Sequence, residues 1–119
     1  MMFAKPRYYK LHGRRALPCS DMLSWAKWFE TADRRVAEDH PAEDCSVSTV
    51  FLGLDHNFDP TNPSPVLYET MVFGGPMDGH CERYRTWKQA EEGHATVLHR
   101  VVLSIQKAIA ESDALLSRM

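Results

Sequence analysis

A helix longer than the body it must pack on is the feature that most constrains this chain. Thr86-Trp87-Lys88-Gln89 forms a capping box: the Thr86 hydroxyl can satisfy the Gln89 amide while the Gln89 side chain reaches back. A helix therefore begins at Trp87. Ala90, His94, Val97, Leu98, Val101, Val102, Ile105, Ala108 and Ile109 then keep one apolar stripe that can cover a sheet. Carried through Leu116, this helix is about 45 Å long at roughly 1.5 Å per residue. A compact chain of 119 residues has a radius of gyration near ~13.5 Å, hence a diameter of roughly 35 Å. The helix overhangs. Leu98, Val101, Ile105, Ala108, Ser112 and Leu115 continue at three-four spacing, a seam that can form a homodimer through a second copy of the helix. The competing expectation is an end that frays past Ser112.

The rest of the chain supplies the sheet. Val47 to Leu54 is β-branched, aromatic and nearly continuous in apolarity, which predicts a central strand. Val66 to Phe73 is a second strand, closed by Gly74-Gly75-Pro76, and Glu82 to Arg85 is a shorter third. Tyr8 to Leu11 reads as a strand running into the His12-Gly13 turn, and Arg35 to Glu38 as a short strand followed by a loop over Asp39 to Asp44. Asp55 to Pro65, with three prolines and two asparagines, is a loop. Ser20 or Asp21 can cap a first helix whose apolar face is Met22, Trp25, Ala26 and Phe29 and which ends before Arg34. Short connections favour antiparallel pairing. The expected fold is α+β: a meander of four to five antiparallel strands against a long C-terminal helix, with a shorter N-terminal helix. One domain over 1–119 fits the length.

Composition narrows the classes of function. With 44% hydrophobic and 25% charged residues the chain is ordinary globular protein. Cys19, Cys45 and Cys81 are odd in number and lack C-x-x-C spacing, so they read as reduced thiols in a cytosol. No apolar run nears the roughly 18 residues of a membrane span, and the N-terminus has no apolar stretch to act as a signal. The expected location is cytoplasmic, with no membrane partner. Net charge is -2, yet Lys5, Arg7, Lys10, Arg14 and Arg15 precede the first acid at Asp21. Interleaved with Tyr8 and Tyr9, this arm can hold a nucleic-acid backbone and stack on bases. An edge strand guarded by its charges explains the same residues, and five cations fall short of a nucleic-acid binder's usual footprint.

The candidate binding residues are Asp55, His56, Glu69, Arg83 and Arg85. Asp55 and His56 leave one strand at the edge where Arg85, Thr86 and the amino end of the final helix also fall; free amides and the helix dipole there favour an anion. Imidazole beside carboxylate can act as a general base or ligand. The plainer expectation is that Asp55 and Asn57 bond to turn amides while His56 caps the strand. Glu69 alternates with Leu67, Met71 and Phe73, which places its carboxylate on an apolar face and calls for a partner, for which Arg83 is suited; Val66, Tyr68, Thr70 and Val72 form the competing core face. His94 lies on the apolar stripe and reads as a hydrogen-bonded core histidine. His56 and His80 fall at opposite ends of strands that span roughly 20 Å, far beyond the ~2 Å of a metal–nitrogen bond, so no metal site is expected. Phosphate-loop, nucleophile-elbow and zinc-helix motifs are absent, Gly74-Gly75 is a turn, and the side chains of His80 and Cys81 point to opposite faces of an extended strand. No catalytic residue and no cofactor is assigned.

Ser48-Thr-Val-Phe-Leu-Gly-Leu-Asp-His-Asn-Phe58, Glu69-Thr-Met-Val-Phe-Gly-Gly75, and Arg83-Tyr84 leading through Thr86, Ala90, Gly93 and His94 carry a resemblance. The chain resembles a family of small uncharacterised proteins encoded by tailed DNA phages and prophages. The resemblance runs from the second half of the first helix into the early final helix and brings no functional residue with it. It implies an accessory protein of an infected or lysogenic bacterial cell, of a kind that often works by binding, including against host defence machinery. The expected function is therefore non-enzymatic binding to a host or phage macromolecule, with a protein as partner. The alternative is a small metal- or nucleotide-handling enzyme, which requires Asp55, His56 and Glu69 to converge in one concave pocket.

Overall fold

A computed structural model describes residues 6–119. Lys5, the first cation of the basic arm, lies outside the described residues. The chain order is β1 (Tyr8–His12), β2 (Arg15–Cys19), α1 (Met22–Thr31), β3 (Arg35–Ala42), β4 (Cys45–Phe51), β5 (Tyr68–Phe73), β6 (Cys81–Tyr84) and α2 (Trp87–Leu116). Strands β3-β4-β5-β6 form an antiparallel meander, and β1-β2 form a separate two-stranded sheet. The α+β architecture with a long terminal helix on the sheet is as the sequence predicts. The β1-β2 hairpin enlarges it.

Alternation along β4 sorts the two faces of the meander. Cys45, Val47, Thr49 and Phe51 are buried, while Ser46, Ser48 and Val50 between them are only partly so. The same period in β5 buries Tyr68, Thr70 and Val72 and turns Glu69, Met71 and Phe73 to the opposite face. The face bearing Glu69 is thus the open one, not the core. Helix α2 lays Ala90, His94, Val97 and Val101 on the covered face and joins two apolar clusters. Val47 and Val72 meet Val97 and Val101 in one, and Phe51, Leu67 and Tyr68 meet Ala90 in the other. Trp28 of α1 packs edge-on against Phe51, so α1 extends this second cluster.

Three elements differ from the sequence reading. Arg15–Cys19 is a strand, although Pro18 argues against one; the hairpin accommodates it because a two-stranded sheet is all edge and Pro18 need not donate. Strand β3 runs to Ala42 through Asp39, His40 and Pro41, which the composition marks as loop, and a register shift between Asp39 and Ala42 accommodates the proline on this edge strand. Strand β4 is central, as expected, but ends at Phe51 rather than Leu54; beyond it the Leu52 amide still donates to the Leu67 carbonyl at 2.6 Å, while Gly53 accepts the Tyr9 amide at 2.8 Å and Leu54 bridges to Tyr8, tying the hairpin to the sheet.

At the start of α2 the Thr86 hydroxyl accepts the Gln89 amide at 3.1 Å, and the Gln89 side chain reaches back to the Arg85 amide at 3.0 Å, one residue beyond the usual box partner. Asp21 caps α1 through the Leu23 amide. Beyond Ile105 every residue of α2 is exposed, and the described chain extends 71 × 33 × 20 Å.

Candidate functional site

His56, Arg83 and Arg85 line one cleft of about 480 Å³ at the amino end of α2, together with Asn57, Tyr84 and Gln89. The antiparallel pairing of β5 with β6 brings Arg83 and Arg85 beside the loop that follows β4. His56 Nδ1 donates to the Leu54 carbonyl at 2.8 Å, which leaves Nε2 as the ring's second polar atom. Arg85 donates to the Ser64 carbonyl and reaches Asn57 Oδ1 at 3.5 Å, so its guanidinium fastens the loop while lining the cleft. Thr61, through its hydroxyl and then its amide, holds the nearby Asp59 carboxyl below its usual range, and Arg85 acts in the same direction. These cationic and amide groups can contact an anion, but the arginines already have internal partners.

Asp55 and Glu69 do not join them. Asp55 Oδ1 accepts the Asn57 amide at 2.8 Å and the Val66 amide at 2.9 Å, closing the loop at both ends. Glu69 lies opposite Arg83 in the sheet and accepts from its Nε at 3.0 Å. The anticipated Glu69–Arg83 pair forms, on the open face. Among the described residues no three His, Cys, Asp or Glu side chains are grouped to hold a metal ion. His80 sits at the far turn, 2.7 Å from Glu82 Oε2.

The second polar constellation is buried except at its outer end, where the Asp39 side chain is exposed. His94 Nδ1 is 2.7 Å from Thr49 Oγ1, Thr49 is 2.5 Å from Thr70, and His94 Nε2 is 2.7 Å from Asp39 Oδ2. With a neutral imidazole the donors run one way: Thr70 to Thr49, Thr49 to Nδ1, and Nε2–H to the carboxylate. Tyr84 extends the row. Its hydroxyl is buried without a hydrogen-bond partner in good geometry, although the Thr70 hydroxyl comes near enough to oppose some of the burial that pushes the phenol upward. Thr49 and Thr70 are fully enclosed and His94 nearly so; only the Asp39 carboxylate meets solvent, and the row works as core structure. His94 is the core histidine its stripe predicts. Its partners lie 45 and 55 residues away, and no local signal marks them.

The basic arm is a packed hairpin. Tyr8 stacks on Trp25 at 5.1 Å, Trp25 donates to the Tyr9 carbonyl at 3.0 Å, and Lys10 donates to Ser24 at 2.7 Å. Arg14 rests over Trp87 and lies 3.6 Å from Glu91. The rings that stacking on bases would need are thus engaged within the protein, which favours the charged-edge reading of this arm.

A further concavity, of about 290 Å³, was not evident in the sequence. Ala42, Cys45 and Pro76 at the end of the sheet form one wall, and Ile105, Ala108, Ile109 and Ser112 of α2 form the other. No helix among the described residues is long and apolar enough to cross a membrane. No family model, curated protein or solved structure matches the chain.

Proposed function

We propose that this chain is a non-enzymatic binding protein, a phage- or prophage-encoded accessory protein acting in the bacterial cytoplasm on a host or phage protein. Blocking a host defence component is a role of the kind such a domain suits. The observation that supports the reading is the bare face of the meander. Helix α2 covers one face, while Ser48, Val50, Met71 and Phe73 line the other, and Phe73 is 54% exposed. A flat, mixed apolar and polar face bounded by the charged pair Glu69–Arg83 suits a protein surface better than a small molecule. The exposed end of α2 adds self-association as a second part of the same reading. The enzymatic alternative loses its geometry, because of Asp55, His56 and Glu69 only His56 lines the cleft.

The test is affinity capture of the tagged chain from infected host lysate, with nuclease and chelator arms, beside a Met71→Lys/Phe73→Glu variant. A stoichiometric protein retained by the native chain and lost by the variant supports the reading. Equal retention by both would remove the open face from it, and loss on nuclease treatment would transfer the role to nucleic acid.

A further inference from the structure

We infer that the protruding end of α2 is covered by a second copy of this chain, the two helices pairing antiparallel about a two-fold axis near Ser112. The inference rests on the reading that α2 is a self-association surface, not on the identity of any other partner.

The chain carries both halves of the contact. Leu115 and Leu116 are each 63% exposed at the tip of the helix, and Ile109 is 56% exposed. About two turns nearer the sheet lies the apolar groove walled by Ala42, Pro76, Ile105 and Ala108. A two-fold axis midway between tip and groove carries each tip into the other's groove, so one knob and one hole are satisfied twice, as a closed isologous interface requires. The midpoint is near Ser112, and Ala108 and Ser112 are small enough to let two helices approach to the usual 8–10 Å.

Charge fits the same arrangement at the two ends of the contact, against the repulsion of Glu111 and Asp113 with their own copies beside the axis. Asp44 lines the groove, Glu43 adjoins it, and Asp44 and Asp78 both help push the neighbouring Cys45 thiol up, after burial itself. This rim is acidic. Arg118 follows the leucine tip and is the only basic residue after Lys107. Each Arg118 therefore arrives at the other copy's acidic rim. The helix beyond Ile105 is about 16 Å long to Leu116, so with the groove the contact stays toward the low end of the roughly 800 Å² per partner of a standard interface. Association is accordingly concentration-dependent, with a dissociation constant in the micromolar range.

Sedimentation of the full chain across micromolar to millimolar concentration tests this directly. The expected result is a monomer–dimer equilibrium that Leu115→Lys/Leu116→Lys weakens at least tenfold, with an unchanged circular dichroism spectrum because these exposed side chains belong to neither core cluster. Ala108→Arg, on the groove side, weakens it similarly. In a Cys19→Ser/Cys45→Ala/Cys81→Ser background, which removes the groove thiol that the tip would otherwise meet, Ser112→Cys cross-links to itself on oxidation and Leu116→Cys does not, since only the axial position meets its own copy. A monomer throughout the range overturns the inference, as does efficient Leu116→Cys cross-linking, which marks a parallel pair. If the leucine variant is monomeric yet still captures another protein, the dimer stands and the open-face reading stands separately.

Discussion

Thr49 and Thr70 occupy the centre of the sheet where Val would pack equally well, and the reason they are tolerated is that His94 and Asp39 complete their hydrogen bonds. Removing a link strands its neighbours in a dry core. His94→Ala leaves the Thr49 hydroxyl short of a partner and opens a cavity, an expected loss of about 2–4 kcal/mol by urea unfolding. Thr49→Val in the His94→Ala background costs less than the sum of the two single changes, because the orphaned group is already gone. Additive losses would show that the row is not one unit. A second residue-scale outcome concerns Cys81. Burial, and then the Glu69 carboxylate, pushes its thiol up, with Arg83 acting against it. A raised thiol holds less thiolate at a given pH, so this exposed cysteine alkylates slowly near pH 8. Glu69→Gln removes the charge and frees Arg83, both of which lower the thiol and speed alkylation several-fold; an unchanged rate would exclude the carboxylate as the cause. At this scale the sequence exposes residue types but not their partners. Asp55 is chosen as a ligand for being an acid beside a histidine, yet its carboxylate is occupied by the amides of Asn57 and Val66, the latter 11 residues on.

Helix α2 and the strands β4 and β5 are legible because their period matches the burial it produces, whereas β2 and the second half of β3 are not. Both of the latter contain a proline, in β3 within a polar stretch, and only tertiary pairing at a sheet edge makes that sequence extended. Which face of β5 meets the helix is also invisible from its own alternation, since Leu67, Met71 and Phe73 are as apolar as Tyr68, Thr70 and Val72. Glycine 93 explains how that choice is fixed. A β-carbon at Gly93 would strike the ring of Tyr84, so the absence of a side chain there admits the β6 tyrosine beneath α2. Gly93→Ala would gain about 1 kcal/mol of helix propensity in an exposed helix. Here the clash dominates, and a net destabilisation of about 1–3 kcal/mol is expected from thermal or urea unfolding. In a Tyr84→Leu background the shorter side chain relieves the clash and Gly93→Ala becomes neutral or stabilising. Equal losses in both backgrounds would mean that the helix itself, not the tyrosine, rejects the alanine.

The described chain as a whole is elongated, and the overhanging end of α2 contributes to it. Its radius of gyration is 18.2 Å, against about 13.5 Å for a compact chain of this length. The overhang, which accounts for part of that excess, follows from the comparison of helix length with body diameter and so can be read from the sequence, while the groove beneath it cannot: the groove needs the β3-β4 and β5-β6 turns in place. On α2 the core clusters reach no further than Val101 and the partly buried Ile105, so the turns beyond belong to neither cluster. Deleting residues 110–119 should then leave the melting temperature of a dilute sample within about 2 °C of the full chain, because a loss of 1 kcal/mol would shift a domain of this size by roughly 4–8 °C. The scattering radius of the same dilute sample should fall toward that of a compact body. Raising the concentration separates the two proteins: association stabilises only the form that still carries the leucine tip, so its melting temperature climbs with concentration while that of the shortened chain stays flat. A dilute shortened chain that melts 5 °C or more below the full one would show instead that the protruding turns brace the body itself, and the helix would have to be counted as part of the core it overhangs.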